Sequence, residues 1–406
     1  MTNRVALTCP TFWGAPTESF FADTDQIYDH PIPLDKEGTL GRFLNSASSI
    51  EGEVDVVLVS ASSSSKWEDQ VDSRIREVIN SHGQGLKCFH FTHENARSLK
   101  KFLSDQYGNE IIEPVSMYGY SDIRNMCLVA CHILGYDTVI STDDDVVFND
   151  PGYIPKALKY INKPLPNSDE NRKAKVVCGP YCNEEGEIKY TMDPPAWMTF
   201  WNNTEAMNEA FEQYVFGQPR LKETSYAVMG NIVLHRDFFT QVPLDPRCPR
   251  GEDLDWVINS RIFGFRFYMD RELRVKHAPP TRRYPDWRLN RLDIERFLYD
   301  RSKIKSLENQ LGISSDYFSP WPGRFLNSEL EDRVFRTNMM LAMQYLSKGE
   351  GEKVEGCLNN IFFANHKYDP GKPVKFIKNF KKKWTRLMEI IAENRYELQE
   401  LLFDIS

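Results

Sequence analysis

Three carboxylates stand in a row in Val139-Ile140-Ser141-Thr142-Asp143-Asp144-Asp145-Val146-Val147-Phe148, between two apolar, β-branched runs. An apolar run that ends abruptly in acids predicts a buried strand delivering charge to its C-terminal edge. Adjacent like charges repel, and a cation among them relieves the repulsion. Hard oxygen donors suit Mg²⁺ or Mn²⁺, ions that also bind phosphates. The chemistry indicated is a divalent metal site acting on a phosphorylated or nucleotide-bearing substrate. This stretch alone leaves a solvated acidic turn as the alternative.

The elements that must position these acids alternate along the first half of the chain. Arg4 to Thr11 reads as a strand ending in Pro10-Thr11, and Gly38 to Ser46 begins a helix. Val54 to Val59 is a nearly unbroken apolar strand that runs into the serine cluster Ser60 to Ser65. Asp69 to Ile79 has helical spacing, Leu86 to Phe91 is a third strand, and Ser121 to Leu134 is a helix leading into the strand that carries the aspartates. Strand–helix alternation with apolar strands predicts an α/β fold, Rossmann-like, whose mainly parallel sheet has helices on both faces. Ligands of such sheets bind beyond the carboxyl ends of the strands. Thr11, the serines and Asp143 to Asp145 all fall there.

The second half is less regular. Strands are expected over 174–179, 225–234 (interrupted by Gly230-Asn231) and 264–269, and Val275 to Pro280 closes this region, with His277 after a strand and before Pro279-Pro280. Glu252, Asp253 and Asp255 stand at the head of an expected helix, where capping acids are also common. Trp197, Phe200 and Trp201 could offer a stacking face to a ligand or pack in a core. Beyond Pro280 the chain becomes basic and aromatic, then helical and charged, with an amphipathic helix expected from Trp384 to Phe403.

Composition narrows the function classes. The 406 residues are 41% hydrophobic and carry a net charge of −8, which argues against a general nucleic-acid binder. No apolar run is long enough to span a bilayer, and the N-terminus shows no signal-peptide pattern, so a cytoplasmic protein is expected. Eight cysteines without zinc-site spacing read as buried thiols. Asn202-Asn203-Thr204 then reads as a chance sequon.

In this order the motifs resemble a family-2-type, nucleotide-sugar-dependent glycosyltransferase of the GT-A fold. Four pieces carry the resemblance over roughly residues 4 to 280: the strand ending in Pro10-Thr11; Arg124-Asn125 with Ala130 and Gly135; Asp143 to Asp145 as an Asp-X-Asp signature; and Gly230-Asn231, Gly251-Glu252-Asp253, Gly264 and His277. The resemblance implies a GT-A domain over 1–280, with a nucleotide-binding half (1–150) and an acceptor half (151–280), followed by a helical C-terminal extension (281–406). It implies Mn²⁺ or Mg²⁺ held by Asp145 and His277. Pro10, Thr11, Ser60, Ser62, Arg124, Asp143 and Asp144 would face a UDP- or GDP-sugar donor. Asp253 would be the general base of an inverting transfer, with Glu252 beside it. Trp197, Trp201, Gly230, Asn231, Arg282 and Arg283 would face a soluble carbohydrate or other small hydroxylated acceptor.

The chain departs from the family in two places. An acid usually follows the second strand to bind the base, whereas here Ser60-Ala61-Ser62-Ser63 stands, which leaves the nucleotide open. The Gln-X-X-Arg-Trp signature of processive synthases is absent, which favours transfer of a single sugar. A retaining enzyme resembling mannosylglycerate synthase, acting on a small acidic acceptor, and a catalytically silent glycan- or nucleotide-binding protein are the competing readings. A nucleotidyltransferase would show a Gly-rich basic loop after the first strand, and Thr8 to Gly14 is not one. Oligomeric association is compatible with all of these.

Overall fold

The computed structural model describes residues 4–20, 28, 31–165, 172–280, 284–365, 371–403 and 405. The strands are β1 (Val5–Gly14), β2 (Ile32–Pro33), β3 (Asp55–Ser62), β4 (Cys88–Phe91), β5 (Thr138–Thr142), β6 (Val146–Val147), β7 (Val176–Cys178), β8 (Tyr181–Cys182), β9 (Leu221–Thr224), β10 (Asn231–His235), β11 (Phe267–Asp270) and β12 (Val275–His277). The large sheet has the order β4-β3-β1-β5-β10-β7-β11-β9, with β2 beside β1. β4, β3, β1 and β5 run parallel, β10 is antiparallel to both β5 and β7, and β11 is parallel to β7. The result is an α/β fold with a mainly parallel sheet. Val56 to Val59 are fully buried, as expected of a parallel strand covered on both faces.

The helix Tyr120–Ile133 shows how the C-terminal part enters this architecture. Ser121 and all residues from Ile123 to Ile133 are buried, the mark of a helix enclosed on nearly every side. One side packs on the sheet and the other on the helix Gly371–Glu393. There the His132 ring lies 2.9 Å from the Met388 carbonyl, and burial pushes its pKa down to about 4. The Trp384 indole N–H bonds the Phe239 carbonyl at 2.9 Å.

From Asp286 onward the described residues form helices only: Asp286–Leu311, Leu330–Ser347, Gly351–Ala364, Gly371–Glu393 and Arg395–Phe403, with short 3₁₀ turns. Ile294, Phe297, Trp384 and Ile391 join them to the same buried cluster as the strands, while Leu341, Tyr345 and Cys357 form a second cluster with Trp197. No helix among the described residues is long and apolar enough to cross a membrane. All eight cysteines are unpaired.

Two elements differ from expectation. The strand expected over 225–234 starts only at Asn231, because residues 225–230 form a loop that carries Val228 and Met229 to a cleft. The amphipathic helix expected from Trp384 begins at Gly371 and is interrupted at Asn394.

A second, small sheet, β6-β12-β8, decides the placement of the acids. Its register pairs His277 with Val146. The Ala278 N–H then donates to the Asp145 carbonyl at 3.0 Å, so His277 is fixed beside Asp145 by backbone pairing.

Candidate active site

β5 ends at Thr142 and delivers Asp143, Asp144 and Asp145 to the sheet edge, each with a different partner. Arg124, in the first turn of Tyr120–Ile133, is only 5% exposed. Its Nη1 donates to the Thr142 carbonyl at 3.1 Å, its Nη2 pairs with Asp143, and its Nε lies 3.9 Å from Glu252 Oε1. Burial pushes the Asp143 carboxyl up, but Arg124, the Tyr181 hydroxyl and His277 outweigh it and hold the pKa below the usual range. Asp144 accepts from the Thr11 hydroxyl at 2.7 Å, and Thr11 in turn accepts from the Trp13 indole at 2.9 Å. Burial and the neighbouring Asp145 and Asp143 push Asp144 up to about 7.

Asp145 is 5% exposed. Its Oδ2 lies 3.4 Å from His277 Nε2, while Oδ1 is buried with no hydrogen-bond partner. A buried carboxylate oxygen without a donor is costly unless something else satisfies it. Asp145 and His277 thus form an oxygen–nitrogen pair with one acceptor unspent. Mg²⁺-type ions are commonly held by one or two protein groups together with substrate phosphates and water, so these residues fit such an ion.

Tyr181, in β8, ties this group to the acceptor-side loop. Its hydroxyl accepts from the Gly230 N–H at 2.8 Å and donates to Asp143 Oδ2 at 2.8 Å. Its ring stacks on His277 with centroids 4.3 Å apart and an interplanar angle of 17°. Glycine is required at 230, because a Cβ there would fall 2.2 Å from the Tyr181 hydroxyl and 2.5 Å from Asp143 Oδ2. Asn231 is fully buried and acts as a brace, donating to the Leu273 carbonyl at 2.7 Å and accepting from the Tyr153 hydroxyl at 2.6 Å.

Gly251 caps the helix Glu252–Ile262 in the left-handed region at φ 71°, with Arg296 packed where a side chain would stand. That turn swings Glu252 and Asp253 toward the aspartates. Burial and the adjacent Asp253 push Glu252 up to about 7 against the pull of Arg124. Burial likewise raises Asp253, opposed first by Arg296. The helix is anchored from behind by Lys303 of Asp286–Leu311, fully buried, whose ammonium bonds Asp245 Oδ2 at 2.6 Å, Asp255, and Asn259 Oδ1 at 3.1 Å. Cys248, Asp255 and Asp300 also approach one another there within 4.8 Å. Lys303 already supplies the positive charge of that buried cluster.

A cleft of about 280 Å³ brings these groups together. Arg124, Asp143, Asp144, Asp145, Glu252, Asp253 and His277 all line it. At one end Phe12, Tyr28 and Tyr120 form an aromatic wall, with centroids 4.6 to 5.4 Å apart.

The remaining expected residues lie elsewhere. Pro10 and Thr11 are buried in β1, and Thr11 reaches the site only through Asp144. The Ser60 hydroxyl is 2.8 Å from His90 Nε2, and the Ser62 hydroxyl donates to the Ser64 carbonyl at 2.6 Å, so neither serine lines the cleft. Trp197 packs with Leu341 and Tyr345, and Trp201 packs between Phe297 and Phe325, both away from the cleft. Helices from the C-terminal part cover them. Gly230 and Asn231 act on the site through Tyr181 and Leu273. Arg282 and Arg283 lie outside the described residues. Tyr181, Arg250 and Arg296 line the cleft without having been singled out as site residues. Arg296 is carried there by a helix of the C-terminal part.

No family model matches the sequence. No curated protein matches it either. Among solved structures, a mannosyltransferase from Pyrobaculum calidifontis in complex with GDP-Man and Mn²⁺ is 12% identical, covering 100% of this chain and 89% of that one with a TM-score of 0.46. A mycobacterial protein is 14% identical over 77% of this chain and 76% of that one, with a TM-score of 0.39. A 4-diphosphocytidyl-2C-methyl-D-erythritol synthase from Anaerococcus prevotii is 9% identical over 64% of this chain and 75% of that one, with a TM-score of 0.27. The functional reading therefore rests on the cleft.

Proposed function

We propose that this chain is a metal-dependent glycosyltransferase of the GT-A type that moves one sugar from a nucleotide-sugar to a hydroxyl of an acceptor. One observation carries the reading: three stretches far apart in sequence, Asp143 to Asp145, Glu252-Asp253 and His277, line a single cleft, with Arg124 between the first two. The aspartates and the histidine suit an ion that neutralises a diphosphate, and the neighbouring carboxyl pair Glu252-Asp253 suits proton transfer.

In this reading Asp145 and His277 hold Mn²⁺ or Mg²⁺, which when bound supplies Lewis-acid stabilisation of the leaving diphosphate. Phe12, Tyr28 and Tyr120 offer faces on which the base of a UDP- or GDP-sugar can stack. Arg124 keeps Asp143 ionised and in place. Asp253 takes the proton of the acceptor hydroxyl as that oxygen attacks the anomeric carbon. The bond from the anomeric carbon to the diphosphate breaks, and its electron pair leaves with the nucleoside diphosphate. The attack comes from the face opposite the leaving group, which inverts the anomeric centre. Arg296, from the helix Asp286–Leu311 beyond the expected GT-A domain, packs on the turn that carries Asp253.

The test is a donor screen. Purified protein with Mn²⁺ or Mg²⁺ is offered UDP-, GDP- and ADP-sugars, and release of nucleoside diphosphate is followed. One donor consumed by the wild type, with transfer abolished in Asp253→Asn, supports the reading; an inverted anomer in the product supports the mechanism. Turnover of no donor would leave a binding protein on this scaffold.

A further inference from the structure

A second cavity, of about 320 Å³, adjoins the cleft, and Tyr190 lines both. That cavity is bordered by Met192, Asn208 and three carboxylates, Glu205, Glu209 and Glu212. The glutamates lie on the helix Asn203–Tyr214 at spacings that place them on one side of it.

The groove is built. Asn208 clamps the Tyr190 backbone in both directions, accepting from its N–H at 2.9 Å and donating to its carbonyl at 2.8 Å. The Tyr190 ring rests on Phe211 with centroids 5.9 Å apart. Glu209 is paired with Arg324, Glu205 lies 3.9 Å from the same guanidinium, and Glu212 is paired with Lys189. These pairs orient the carboxylates, yet each keeps at least 45% of its side chain exposed and retains acceptor capacity. Tyr190 and Met192 are 38% and 43% exposed, giving apolar surface next to hydrogen-bond acceptors.

Oriented carboxylates beside an aromatic face suit a ligand rich in hydroxyl donors with apolar C–H faces. Lys189, which also lines the cavity, and Arg324 offset two of the three glutamate charges, so one carboxylate stands in excess and a phosphate or a carboxylate is disfavoured. We propose that this groove holds the part of the acceptor remote from the reacting hydroxyl, and that the acceptor is a neutral oligosaccharide. The inference rests on the glycosyltransferase reading and narrows its acceptor; it disfavours a small acidic acceptor.

The experiment compares acceptors at a fixed donor and metal. Neutral oligosaccharides, the corresponding monosaccharides and acidic small acceptors are offered to wild type, Met192→Ala and Glu205→Gln, with donor hydrolysis measured in parallel. Oligosaccharide binding is also followed directly by calorimetry without donor. The expected result is preferential use of oligosaccharides, with KM for them raised about three- to tenfold in either variant and donor hydrolysis unchanged. Equal use of monosaccharides, preference for an acidic acceptor, or an unchanged oligosaccharide KM in both variants would overturn the inference while leaving the donor reading intact. Oligosaccharide binding with no donor turnover would overturn the glycosyltransferase reading instead and leave the groove as a glycan site. Neither turnover nor binding overturns both.

Discussion

The guanidinium of Arg124 stands between Asp143 and Glu252, paired with the first and with its Nε 3.9 Å from Oε1 of the second. One buried cation therefore joins the acids at the end of β5 to the acids at the head of Glu252–Ile262. Its planar fork reaches the Thr142 carbonyl as well, a combination that a lysine ammonium cannot reproduce.

Removing that cation strands two buried carboxyls. Arg124→Met is expected to cost about 3–5 kcal/mol of stability, read by urea unfolding, and to abolish transfer. Arg124→Lys should recover part of the stability and little of the transfer rate. Equal transfer by Arg124→Lys and wild type would show that the three-way geometry is not needed.

The carboxyl pair predicts a pH dependence. Glu252 is pushed up to about 7 by burial and by Asp253, so below that pH Glu252 holds a proton and above it Glu252 is ionised. Loss of the Glu252 proton adds a negative charge beside Asp253 and strengthens it as a base, so kcat/KM for transfer should rise with pH through about 7. In Glu252→Gln the group that titrates near 7 is gone, and the rising limb at that pH should disappear. A limb unchanged in that variant would assign the titration elsewhere.

Gly230 has no room for a methyl group, since its Cβ would meet the Tyr181 hydroxyl and Asp143 at 2.2 and 2.5 Å. Both neighbours are held by other bonds, so Gly230→Ala should break the Tyr181–Asp143 contact and cost about 1–3 kcal/mol. Donor KM should rise more than acceptor KM. A crystal structure of the variant retaining the 2.8 Å contact would refute this.

Lys303 predicts a purely structural effect. Lys303→Met leaves Asp245 and Asp255 buried without their cation and is expected to lower stability by about 3–5 kcal/mol. Mn²⁺ or Mg²⁺ should stabilise the wild type and the variant by the same increment, because the ion is assigned to Asp145 and His277. A larger increment in the variant would point to metal binding at the Lys303 cluster.

Residues with a local signal were legible in the sequence. Asp143 to Asp145 end an apolar strand, Glu252 and Asp253 open a helix, and His277 closes a strand before prolines; the alternation of elements likewise implied the α/β sheet. Tyr181 and Arg296 had no such signal. Tyr181 sits in a two-residue strand, and Arg296 lies in a 26-residue helix with charges on many sides; both reach the cleft only through tertiary packing. Ser60 and Ser62 could have faced a base as far as spacing went, but their hydroxyls are spent on His90 and Ser64. Trp197 and Trp201 could have packed or bound, and the choice depended on helices that follow much later in the chain.

The central claim is that Asp145 and His277 make the cleft a metal-dependent nucleotide-sugar site. The most direct measurement is calorimetric titration of UDP and GDP into the protein with and without Mn²⁺, for wild type and Asp145→Ala. One nucleotide is expected to bind the wild type tightly only with Mn²⁺, and Asp145→Ala to lose the metal-dependent part while remaining folded by circular dichroism. Binding equal with and without Mn²⁺, or fully retained in Asp145→Ala, would contradict it.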